Sequence, residues 1–379
     1  MASATQTTLQ TIRDELRASF FERTPVIDGV LTALVAGEHV LMLGPPGTAK
    51  SALASVLCKA IDDAQFFQWL LTKFSTPEEL FGPMSLKGLE QDKFTRNVTG
   101  KLPLAHIAFL DEIFKANSSI LNALLTIINE REFFNDGAAS ACPLLTMVGA
   151  SNELPESKEL EALFDRFLLR YWINYVGDRA NVRSMLLASE PAISAKLTLA
   201  DIAKAQAEAA KVKFSDASLD TLLDVKDATE REGVRASDRR WRRVIKALRA
   251  FAYLNGDNAV TEDHFDLLPD MLWREPSERT SLVQVVGRIA NPLAAKAIEV
   301  TDAARELFAS LPSGDVKKAE FLAAAADANA QFEQMKNEVN VLVQANPNKA
   351  RKLREALSEI DKLHKDTQRR AAKAAGISI

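Results

Sequence analysis

Cysteine is nearly absent from this chain: Cys58 and Cys142 are the only two among 379 residues. They stand far apart in apolar contexts, which excludes a disulfide framework and a cysteine zinc site. Histidine is as sparse. His39, His106, His264 and His364 are scattered without ligand spacing, so each reads as structural and no metal centre is built on them. Long apolar runs are missing too; none approaches the ~18–20 residues that a bilayer-spanning helix needs. The first residues carry no signal-peptide pattern, so no membrane span and a cytoplasmic location are expected. Neither sign of charge dominates, since 47 basic against 51 acidic residues leave a net charge of −4. That balance speaks against a surface built mainly for nucleic acid, although local basic patches stay open. There is no internal repeat and no low-complexity tract; the run Ala323 to Ala326 is simply good helix former.

What is present is an ordinary globular composition, 47% hydrophobic and 26% charged, long enough for two or three domains. An amphipathic helix is predicted over residues 8–21 and a second over 26–36, the latter closed by Gly37 as C-cap. Strands and helices then alternate to about residue 176, the pattern of a parallel α/β sheet. Candidate strands are 40–43, 66–71, 107–111, 144–150 and 168–175, all continuous apolar runs of the kind buried on both faces. Ser75-Thr76-Pro77-Glu78-Glu79 is a helix start, with capping hydroxyls, Pro at the first position and acids in the first turn. Residues 81–104 read as an inserted loop or hairpin. Beyond Val176 strand signals stop, and 198–270 is predicted helical throughout, with caps at Thr198, Ser215 and Thr261. From Pro276 onward helix continues. Asn346 as cap and Pro347 at the next first position divide two charged segments. Leu353, Leu357 and Ile360 keep one stripe, so the last two helices should pair as an antiparallel hairpin.

The chemistry is carried by Gly44-Pro45-Pro46-Gly47-Thr48-Ala49-Lys50-Ser51, set between the apolar run Val40-Leu41-Met42-Leu43 and a helix start. A tight turn there aims backbone N–H groups at an anion, and the helix N-terminus adds its dipole. Lys50 can reach β- and γ-phosphates, and the Ser51 hydroxyl can ligate Mg²⁺. Ala49 stands where a glycine usually precedes the lysine, tolerable where its backbone keeps a negative φ.

About 60 residues on, the strand His106-Ile107-Ala108-Phe109-Leu110 ends in Asp111-Glu112. Asp111 suits a water-mediated Mg²⁺ ligand beside Ser51, and Glu112 suits polarising the attacking water. A further strand ends at Asn152, whose amide can bind both the γ-phosphate and that water, or can merely turn the chain. Arg166, just before the fifth strand, is the candidate arginine finger for a neighbouring subunit, with Arg170 as runner-up. A salt bridge from Arg166 to Asp165 is the competing reading. In Ser237-Asp238-Arg239-Arg240-Trp241 a helix opens with Arg239 (or Arg240) as the lid cation that senses phosphate. A basic nucleic-acid surface competes there, poorly supported with Trp241 as the sole stacking residue.

Taken together, Gly44–Ser51, Asp111-Glu112, Asn152, Arg166 and Arg239 resemble an AAA+ ATPase. The stretches from Phe74 to Pro83, from Phe109 through Arg131, Ala150 to Pro155, and Ser237 to Trp241 resemble the MoxR family, and within it the RavA-like ATPases. The resemblance covers about residues 8–275. It implies an AAA+ α/β module (1–190), an all-α lid (191–275) and a C-terminal helical bundle (276–379). It also implies ATP and Mg²⁺ bound between subunits of a homo-oligomeric ring, usually a hexamer, with 81–104 as an insertion facing substrate or partner. Family members act as chaperone-like remodellers and typically work with a von Willebrand factor A domain protein. The RavA-like pattern interrupts its bundle with a β-containing domain that binds a decarboxylase. Residues 276–379 read as helix throughout, so that partner is not expected. The alternative from the same module is a DNA-handling, helicase- or loader-type ATPase.

Overall fold

The computed structural model describes residues 3–312, 318–346 and 351–375, and two compact units divide it, Met1–Leu282 and Val283–Ile379. The first unit is built on a parallel five-stranded sheet of β1 (Val40–Leu43), β2 (Phe66–Leu70), β3 (Ile107–Asp111), β4 (Thr146–Ser151) and β5 (Leu169–Trp172). Their spatial order is β2-β3-β4-β1-β5, so the strand that leads into the glycine loop lies between β4 and β5. The inner strands β1 and β4 are buried along their whole length, as their apolar runs require. Strand β2 departs from that expectation. It closes one sheet edge, and alternate residues, Leu70 among them, face solvent.

The longer helices of this unit are α1 (Ala4–Ser19), α2 (Thr24–Ala36), α3 (Lys50–Lys59), α4 (Ser118–Glu130), α5 (Lys158–Arg166), α6 (Arg179–Leu187), α7 (Leu199–Ala210), α8 (Asp216–Arg231) and α9 (Asp238–Asn255). Gly37 ends α2 at φ 63°, in the left-handed region a C-cap demands. Thr198 and Ser215 cap α7 and α8 as their sequence signals require, and Thr261 caps the 3₁₀ turn Glu262–Leu267.

Two expectations are corrected. The segment 198–270 is not helical throughout, because Lys213–Phe214 pairs with Ala259–Val260 in a short parallel ladder. Nor do strands end at Val176: Leu197–Thr198 pairs with Ile61–Asp62. The stretch 81–104 is a hairpin-like excursion, as expected: Met84 and Arg96 form one antiparallel bridge, flanked by Ser85 N–H to Thr95 O and Asn97 N–H to Pro83 O, both at 2.8 Å, around the short helix Leu86–Leu89. A true hairpin, Glu132–Asn135 with Ala138–Ala141, lies beside it. Arg96 N–H donates to Asn135 Oδ1 at 2.7 Å and Phe94 N–H to Asp136 Oδ1 at 3.1 Å. Asn135-Asp136-Gly137 was the signal for that turn, with Asp136 and Gly137 both at positive φ.

Two arginines join the lid helices to the sheet. Arg240, in the first turn of α9, is 4% exposed and donates to the carbonyls of Asp165, Phe167, Leu168 and Met271 and to Asp165 Oδ1, at 2.7–3.2 Å. Arg170, in β5, is 2% exposed, donates to the Phe164, Phe167 and Trp273 carbonyls, and lies 3.8 Å over the Phe164 ring. Replacing Arg240 by Ala orphans this set of buried acceptors. The expected cost is roughly 3–5 kcal/mol of stability, read as a lowered denaturation midpoint.

The second unit is helical: the end of α10 (Glu278–Ala290), then α11 (Pro292–Ala309), α12 (Lys318–Ala345) and α13 (Arg351–Ala375). Lys336 pairs with Asp361 at 3.0 Å and Phe332 stacks on His364, a register that runs α12 and α13 antiparallel, as predicted. Leu353 and Ile360 are fully buried in their common core and Leu357 packs partly against it. Pro347 lies outside the described residues.

Candidate nucleotide site

The loop after β1 turns back on itself within one strand width. Gly44 N–H donates to Ser151 O at 3.1 Å, which ties the loop entrance to the end of β4. On its other side Gly44 faces β5. Its φ is 132°, and a Cβ there would stand 2.1 Å from Ile173 O, so only glycine fits. Pro46, Gly47 and Ala49 at the crest are exposed, whereas Thr48 and Lys50 are buried beneath it. Ala49 contradicts the negative φ expected of it: it sits at φ 64°, ψ 23° as the residue before α3. An alternation of right- and left-handed residues makes successive N–H groups converge on one point, and the cradle imposes it on Ala49 at a cost of about 1 kcal/mol.

Lys50 Nζ runs back under the loop, donating to Gly44 O at 2.8 Å and Pro45 O at 2.9 Å. Burial pushes its pKa down, while the charges of Asp111 and Glu112 oppose that shift. The lysine therefore lies within the field of both carboxylates. Asp111 ends β3 and accepts the Glu112 N–H at 3.0 Å. Glu112 follows at φ 51°, a left-handed turn that lets it leave the strand direction and face the same cleft. Burial, then the neighbouring Asp111, holds its carboxyl above the usual range. Asn152, one residue past β4, donates from Nδ2 to Glu112 Oε1 at 2.7 Å. The Ser51 hydroxyl in the first turn of α3 and the Asp111 carboxylate are hard oxygen donors, a set that fits Mg²⁺. All of these residues gather at the carboxyl ends of β1, β3 and β4, where open α/β sheets bind ligands.

The arginines lie elsewhere. Strand β5 starts with Leu169 opposite Val40 and ends with Trp172 opposite Leu43. Arg166, at the end of α5, therefore sits at the edge where β1 begins, and the glycine loop at the edge where β1 ends. Four residues of strand, about 13 Å, separate them, more than an arginine side chain spans. Arg239 is on Arg166's side, with Nη2 3.0 Å from Asp165 Oδ2. Asp165 is shared by four cations, Arg239 at 3.0 Å, Arg240 at 3.2 Å, Arg170 at 3.8 Å and Arg166 at 4.0 Å. Arg166 is the loosest of them, and its buried Nε finds no partner among the described residues. Arg170 and Arg240 are spent on carbonyls, which sequence reasoning missed; nothing in spacing alone separates them from Arg166 and Arg239.

This arrangement matches known proteins along most of its length. The family model described as "MoxR domain in the MoxR-vWA-beta-propeller ternary systems" matches residues 7–211, and an AAA lid domain model matches 218–286. The chain belongs to the MoxR family of AAA+ ATPases. An uncharacterized protein of Methanocaldococcus jannaschii is 43% identical over 82% of this MoxR-family chain and 82% of its own length. The Mycobacterium tuberculosis protein named Chaperone MoxR1 is 24% identical over 70% of this chain and 74% of its own. A crystal structure from Cytophaga hutchinsonii, described as a candidate ATPase, shares the fold at TM-score 0.62 and 20% identity, covering 76% of this chain and 95% of that one. The AAA+ fold expectation holds: parallel-sheet module, helical lid and C-terminal helices. No described helix is long and apolar enough to cross a membrane.

Proposed function

We propose that this MoxR-family chain hydrolyses ATP at a site that two copies build together, within a homo-oligomeric ring, and uses the cycle to remodel a protein partner. One observation carries the reading: the glycine loop and the arginines occupy opposite edges of the same sheet. In this reading Gly44–Ser51 cradle the phosphates, and Lys50 exchanges its carbonyl partners for the β- and γ-phosphates. Ser51 and Asp111 would hold Mg²⁺, whose charge offsets that of the triphosphate. Glu112 takes the proton of the attacking water, and Asn152 orients both Glu112 and the γ-phosphate. Arg166, with Arg239 beside it, enters from the next copy and meets the charge that develops at the γ-phosphate.

Ring size rests on the family resemblance, which favours a hexamer. A von Willebrand factor A domain partner is supported by the matched family's description as part of MoxR-vWA systems. The remodelling role is supported by the name of the mycobacterial relative. The RavA-like assignment rests on the motifs alone.

The test is turnover per chain against chain concentration, with sedimentation on the same samples. Turnover should fall on dilution as the assembly dissociates; monomers that hydrolyse at the full rate would overturn the reading. Lys50→Ala removes the cradle's cation and should abolish ATP binding in equilibrium titrations, with unchanged affinity counting against the cradle.

A further inference from the structure

The nine-residue helix α6 is attached to the fold without contributing to its core. Each of its residues is at least partly exposed, and Leu186 and Leu187 are 75% and 79% exposed. A free helix of this length is marginal in water, so its place is fixed from outside. Glu22 accepts from Gly177 N–H at 3.0 Å, Asp178 N–H at 2.9 Å and Asn181 Nδ2 at 3.1 Å. Asp178 caps the helix through Ala180 and Asn181 N–H, both at 2.9 Å. Past the helix, Glu15 receives Ser194 N–H at 3.0 Å and Ala195 N–H at 3.3 Å. Two glutamates of the α1–α2 region thus hold out to solvent a helix whose last three residues, Met185, Leu186 and Leu187, are apolar and exposed.

Its position says what covers it. Strand β5 ends at Trp172, paired with Leu43, and α6 begins seven residues later. Arg23, next to the anchoring Glu22, donates to Asn174 O at 2.6 Å, and its charge acts on Lys50. The base of α6 therefore belongs to the edge that carries the glycine loop. Trp172, at the end of β5, and Tyr175, in the chain between β5 and α6, are exposed as well. Arg166 and Arg239 can reach a triphosphate only from a second copy laid against this edge.

We propose that α6 is a contact between copies, with Met185, Leu186 and Leu187 packed against the neighbour that supplies Arg166. The inference rests on the shared-site reading above and deepens it. A head-to-tail contact of this kind joins two different surfaces and so propagates around a ring. Leu186 and Leu187 touch no core, so changing them spares the folded chain.

The experiment uses the full chain with Leu186→Asp and Leu187→Asp together, and the milder Leu186→Ala, Leu187→Ala pair, which keeps the helix. Both should melt like the parent and bind ATP like the parent. Sedimentation with ATP should show the aspartate pair as smaller species where the parent is assembled. Turnover there should fall roughly tenfold or more and recover partly as concentration rises, with the alanine pair intermediate. An aspartate pair that assembles and hydrolyses like the parent, while Arg166→Ala is inactive, would overturn the role of α6 and leave the shared site standing. A parent that hydrolyses fully as a monomer would bring down both.

Discussion

Arg166→Ala should lower ATP turnover by roughly 10³–10⁵-fold while leaving ATP affinity within a small factor of the parent. The size follows from where the guanidinium acts. In the proposed reading it meets charge that develops on the transferring phosphoryl group, so its loss should be felt in the transition state and little in the ground state. The fold should tolerate the change, since among the described residues the Arg166 guanidinium has one ionic partner, Asp165 at 4.0 Å, a carboxylate that keeps three other arginines. Phosphate release measured on mixtures decides the geometry. A chain lacking Arg166 still owns Glu112, and a chain lacking Glu112 still owns Arg166. Mixing the two should restore a fraction of the parent rate, set by how often an intact cleft forms. An unimpaired Arg166→Ala enzyme would remove this arginine from the reaction.

Glu112→Gln should retain ATP and lose roughly 10²–10⁴-fold in turnover, the range expected when a positioned base is lost. Glutamine keeps an oxygen for the Asn152 amide, now 2.7 Å from Glu112 Oε1, so the cleft should stay organised. The pH profile adds a second readout. Burial first, then Asp111, raises the Glu112 carboxyl above its ordinary value of 4.5. A raised pKa keeps the proton on at higher pH, so activity should fall, as the solution is acidified, above the usual glutamate range. That acid limb should be missing from the residual activity of the glutamine variant. A profile and rate unchanged by the substitution would assign the proton elsewhere.

Much of this was legible in the residues because the signals are local. Gly44–Ser51 lie within one turn, and the strand ending in Asp111-Glu112 is short and apolar. Strand β1 and the caps Gly37, Thr198 and Ser215 fall where the sequence puts them for the same reason. What was hidden depends on distant partners. Four arginines within 4.0 Å of Asp165 come from α5, β5 and α9, and only packing divides them into buried locks and available cations. The left-handed Ala49 was hidden differently. Propensity assigns alanine a negative φ, and the loop's hydrogen-bond geometry outweighs that preference. The hairpin before Cys142 passed unnoticed because its strands, Glu132–Asn135 and Ala138–Ala141, are short and largely solvent-facing.

Arg240 and Arg170 fasten the lid to the turn between α5 and β5 through buried guanidinium–carbonyl bonds. Arg166 rides on that same turn. A tug transmitted through Arg166 by a neighbour's phosphate would therefore not stop at a side chain. It would swing α9 along with the strand edge, like a handle cast in one piece with its lever.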